Sequence, residues 1–102
     1  MDIDENLLRN RLINEFGYSL SQVNSGVMGI KALHPKLQSE FLKWWKTGEI
    51  PTIEIEGYSV VKFIQEWGCT PISAFFNLDY LIRKPEEAKK AFAEGYDTVT
   101  VK

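Results

Sequence analysis

The chain has one cysteine, one histidine, two methionines and four prolines in 102 residues, and each shortage removes a class of protein. Cys69, alone, closes no internal disulfide and no multi-cysteine metal site, so the fold is expected to rest on an apolar core in a reducing compartment. Cys69 itself is expected to be a small buried hydrophobe. His34 has no second histidine at ligand spacing, which leaves no zinc motif and suits a helix-entry role before Pro35. No basic excess exists either: twelve Lys and Arg stand against fourteen Asp and Glu, a net charge of −2. A duplex-binding domain ordinarily carries the opposite balance to displace counterions, so nucleic-acid partners are disfavoured.

Long apolar runs are missing as well. None approaches the ~20 residues that span a bilayer, and the N-terminus, Met1-Asp2-Ile3-Asp4-Glu5, is acidic where a secretory leader is basic and then apolar. The expectation is a cytoplasmic protein with no membrane partner. Phosphate-binding loops are absent too, because Gly26-Val27-Met28-Gly29 lacks the glycine count and the Lys-Ser/Thr pair of a P-loop. There is no internal repeat and no Ser/Gly linker.

What the chain does have is apolar mass. It is 44% hydrophobic, with six Phe, four Tyr and three Trp, enough to fold as a single small domain over residues 1–102. Helix punctuation is regular. Asp2 and Glu5 read as a capping box for a first helix through Leu8, Leu12 and Phe16, ended by Gly17. Ser19 and Gln22 form a second box, for a short helix expected to stop near Asn24-Ser25-Gly26, with 26–34 readable as helix or loop. Pro35 opens a third helix, in which Leu37, Phe41, Leu42, Trp44 and Trp45 share an arc opposite Lys36, Ser39, Glu40, Lys43 and Lys46; Gly48 closes it.

Ile53-Glu54-Ile55-Glu56 alternates like a short strand before Gly57. Ser59 caps a fourth helix to Trp67, and Gly68 ends it. Thr70 and Pro71 are the N-cap and first residue of a fifth, to about Arg83, which is apolar around nearly its whole circumference except for the stripes Ser73/Asn77 and Asp79/Arg83. A helix of that kind belongs at the buried centre. Lys84-Pro85 starts a sixth helix, with Gly95 as its stop. Residues 97–101 alternate again. The predicted fold is therefore mainly α: five or six short helices around the central helix at about 71–83, with a small two-stranded ribbon pairing 52–56 with 97–101.

No catalytic constellation is legible, and no cofactor motif. Asp79 is the one carboxylate on a strongly apolar helix, where an unpaired charge is costly; Arg83, one turn on, is its natural partner, and the two are expected to form a buried polar pair. These observations favour a non-enzymatic protein-interaction or accessory module over an enzyme. The partner is expected to be another protein or a second copy of the chain. Its candidate contact face is Trp45 with Leu42, Lys43 and Lys46, where the net +3 segment Lys31 to Gly48 meets aromatic surface. Full burial of Trp45 would remove the ring from that face. The alternative comes from Val60 to Leu78, which resembles a helix-turn-helix through the turn Gly68-Cys69-Thr70-Pro71. That resemblance implies a DNA-binding or transcription-regulating protein whose second helix enters the major groove. Here that helix would present Ile72, Phe75, Phe76 and Tyr80, with few donors.

Overall fold

The structure is a computed structural model and describes residues 3–94. Among these, six helices and one two-stranded antiparallel sheet form. The described residues group into two compact units, 3–32 and 33–94.

The first unit is a pair of helices packed on each other, α1 (Glu5–Asn14) and α2 (Leu20–Lys31). Asp4, rather than Asp2, caps α1: its carboxylate accepts from the backbone N–H groups of Asn6 and Leu7. Asp2 lies outside the described residues. The helix closes on Gly17, whose φ of 70° is left-handed and whose N–H donates to Ile13. Ser19 and Gln22 make the reciprocal box expected of them.

Helix α2 does not stop at Gly26. It runs to Lys31, because Gly26 serves packing and not termination: a Cβ there would lie 3.1 Å from the Tyr18 ring. The missing side chain is the space that the ring occupies. Leu8 and Leu12 of α1 and Val23, Val27 and Ile30 of α2 are buried on one stripe of each helix, and Tyr18 between the helices is buried with them.

The second unit begins with α3 (Pro35–Thr47), closed by left-handed Gly48. Next come β1 (Glu54–Ile55), β2 (Tyr58–Ser59) and α4 (Val60–Trp67). The unit ends with α5 (Pro71–Arg83) and α6 (Pro85–Ala93). The caps Ser59 and Thr70 each accept a backbone N–H from three residues on.

The strand expected at 53–56 exists, but its partner is its immediate neighbour. Glu54 pairs with Ser59 and Ile55 with Tyr58, across a two-residue turn in which Glu56 and Gly57 both take positive φ. The proposed partner segment 97–101, and the helix stop at Gly95, lie outside the described residues.

Helix α5 is the buried centre of this unit and packs on α3, α4, α6 and both strands. Every residue from Ile72 to Leu78 is buried, Ser73 and Asn77 included. Burying a large apolar side chain stabilises a fold by ~1.5–3 kcal/mol, so α5 organises most of the unit's packing. On one side Phe75 meets Phe41 of α3 edge-on, centroids 5.1 Å apart. A second aromatic group joins Phe63 and Trp67 of α4 to Phe92 of α6 and Tyr58 of β2, with neighbouring centroids 4.9–5.7 Å apart. Such contacts add ~0.5–1.5 kcal/mol per pair beyond area. Cys69 is buried as expected.

Candidate functional site

Helix α3 divides the candidate contact face. Its apolar residues recur every three or four positions, so Leu37, Phe41, Trp44 and Trp45 turn inward together. Trp45 retains 6% exposure and stacks on Phe41 at 5.8 Å. The ring belongs to the interior. Leu42 is half-buried, and Lys43 and Lys46 are exposed, with Lys43 reaching Glu49 at 3.7 Å. What remains of that face on the surface is Leu42 between two lysines.

Asp79 and Arg83 do pair, at the boundary of the unit and not within its core. The Arg83 Nε donates to both carboxylate oxygens at 3.1 and 3.0 Å, while the Asp79 side chain is 22% exposed and that of Arg83 49%. The reason is position: Asp79 lies one residue past the buried run, where α5 emerges. The carboxylate also accepts the backbone N–H of His34 at 2.8 Å, across 45 residues of sequence. It thus ties the entry of α3 to the last turn of α5. His34 completes the joint by capping α3, its Nδ1 accepting from the Lys36 N–H. Asp79 is occupied structurally, in a role that spacing along one helix could not disclose.

Titratable groups elsewhere are perturbed by ordinary neighbours. Glu5 is held below the usual carboxylate range by its hydrogen bond to Arg9 and by Lys31. Lys89 is raised by its 2.7 Å hydrogen bond to Glu56. Burial raises Tyr80, with Glu87 adding to it. Burial also raises Tyr18, whose hydroxyl has no hydrogen-bond partner among the described residues. No group of three or more His, Cys, Asp or Glu side chains among the described residues is placed to hold a metal ion.

The surface that sequence reasoning missed is the outer side of α2. Leu20 is 78% and Met28 72% exposed, the two most exposed large apolar side chains described, and Ser21, Asn24 and Ser25 between them are exposed too. No residue from Phe16 to Ile30 carries a charge. That run of fifteen residues was the available signal. A helix stopping near Gly26 places Met28 off the helix, and only the full length of α2 sets it on one side with Leu20.

Comparison of the chain with protein-family models, curated proteins and solved structures found no match. No helix among the described residues is long and apolar enough to cross a membrane.

Proposed function

We propose that this chain is a non-enzymatic protein-interaction module whose contact surface is the outer face of α2, where Arg9 of α1 donates to Asn24 at 2.8 Å. The observation that carries the reading is the pair Leu20 and Met28, both about three-quarters exposed on a helix whose only charged residue is its last, Lys31. Isolated surface leucines are ordinary. Two large apolar side chains on one helix, on either side of an Asn24 that accepts from Arg9, favour a protein contact over solvent. Support for a non-catalytic role comes from Asp79, the most chemically suggestive carboxylate, whose oxygens are engaged by Arg83 and by the His34 amide.

The test is site-specific photo-crosslinking in an extract of the native host. A photoreactive residue replaces Ser25 on α2 in one version and Lys43 on α3 in another. Covalent protein adducts at position 25 alone are the expected result. Adducts at 43 alone would return the contact to Leu42, Lys43 and Lys46, and none at either position would end the interaction reading.

The helix-turn-helix alternative has no observation in its favour. Its second helix would be α5, which buries every residue from Ile72 to Leu78 and so offers little to a groove.

A further inference from the structure

We propose that the face shared by α1 and α2 docks an acidic amphipathic helix of another protein, whose carboxylate sits between two apolar anchors. The inference rests on the interaction reading above and deepens it by naming the partner's chemistry.

Two contacts set the geometry. Glu5, in the first turn of α1, meets Lys31, the last residue of α2, at 3.5 Å; one turn further along α1, Arg9 Nη1 donates to Asn24 Oδ1 at 2.8 Å. The two helices therefore run antiparallel, with the Glu5 and Arg9 side of one against the Asn24 and Lys31 side of the other. Ile13 lies one turn past Arg9 and continues the first stripe. Leu20, Asn24, Met28 and Lys31 fall within an arc of about 80° and form the second. The face thus carries Ile13 and Leu20 toward one end and Met28 toward the other, all three exposed, with the Arg9 guanidinium between them.

Charge selects the occupant. Two cations, Arg9 and Lys31, share the one carboxylate of Glu5, at 3.3 and 3.5 Å. The neighbouring Asp4 is turned to the Asn6 and Leu7 amides as the cap of α1, and Glu15 is engaged by Arg11. The face keeps a positive excess, flanked by side chains that prefer to leave water. A second copy across a two-fold axis would set guanidinium against guanidinium. Duplex DNA or an anionic bilayer calls for a larger cationic cluster than two groups. A helix with apolar residues two turns apart, and Asp or Glu between them, meets both demands together. Its anchors cover Leu20 and Met28, which lie about 12 Å apart along α2, and its carboxylate reaches the cations.

The test selects random peptides of about 16 residues, long enough for a helix of about 24 Å, displayed on phage and captured by the full chain. The best is then made synthetically and its binding read by fluorescence anisotropy. Enriched sequences should carry Asp or Glu between apolar residues two turns apart. Arg9→Gln should weaken binding by about tenfold or more and Arg9→Lys by less, because lysine keeps the charge. Glu5→Gln removes the competing carboxylate and should tighten binding by about threefold, a gain that loss of fold cannot mimic. Unchanged circular dichroism confirms that each variant folds. No enrichment, enriched peptides without a carboxylate, or binding indifferent to Arg9→Gln or weakened by Glu5→Gln, overturns the proposal. Any of these together with adducts to other proteins at position 25 would sink the acidic-helix inference alone. The same result with no adducts would sink the interaction reading as well.

Discussion

The two units solve the burial problem differently. Residues 33–94 hold all three tryptophans and pack Phe41, Phe63, Phe75 and Phe92 around α5, while their exterior is laced with lysine and glutamate. Residues 3–32 pack two helices on aliphatic stripes, with Tyr18 seated over Gly26, and they leave Leu7, Ile13, Leu20 and Met28 exposed. Among the described residues the larger unit exposes Ile50 alone of its large apolar side chains, whereas the smaller one exposes four, Leu7 and Ile13 on α1 and Leu20 and Met28 on α2.

The most damaging way to probe that contrast is Phe75→Ala. It empties the contact between α5 and α3 and should cost ~3–5 kcal/mol, read from tryptophan emission during urea unfolding, because Trp44, Trp45 and Trp67 all report on the larger unit. A loss below about 1 kcal/mol would mean that α5 is not its organising centre.

Asp79→Ala comes next. It removes the carboxylate that the His34 amide and the Arg83 Nε both bond, and a loss of ~1–2 kcal/mol is expected. Asp79→Asn should recover part of this, since an amide oxygen still accepts from His34. Equal losses for both variants would assign the effect to the ion pair instead of the tether.

In the smaller unit the expected sign reverses. Tyr18→Phe removes a buried hydroxyl that has no partner, and should stabilise by about 1 kcal/mol. Its pH signature is separate. Burial raises the Tyr18 pKa above that of the unfolded chain, so the folded state favours the neutral phenol. The corresponding stability is present below about pH 10 and is lost as pH rises through the raised value. Amide exchange of α1 and α2 should lose that alkaline limb in Tyr18→Phe. The larger unit should keep its own, through Tyr80 and Lys89, both raised.

Legibility in the sequence followed the range of the chemistry. Ser19, Ser59 and Thr70 cap the helices expected of them, and Pro35, Pro71 and Pro85 open theirs, because each acts within four residues. Gly26 looks like a helix stop in the sequence because its role is to admit Tyr18, a contact that no helical period encodes. The same limit hid the tie between Asp79 and His34. Trp45 occupied an arc wide enough to reach the surface, and only the stacking on Phe41 shows which way it turned. The alternation of 97–101 suggests a distant partner for the ribbon, whereas Tyr58-Ser59, only two residues long, carries no alternation by which a strand beside Glu54-Ile55 could be read.

That turn restricts how the chain can vary. Glu56 takes a φ of 50°, where Asn or Gly would be more comfortable, and its carboxylate bonds Lys89 of α6 at 2.7 Å. Ile55 and Tyr58, flanking it, are half-buried. Adding or deleting one residue between them would shift the strand register, turn the alternate side chains to the opposite face and carry Glu56 away from Lys89. Surface loops usually absorb changes of length. This one sets the spacing of the elements on either side of it, so length variation is expected to fall elsewhere, and the Glu56-Gly57 tip is a poor place to insert a tag or open the chain for circular permutation.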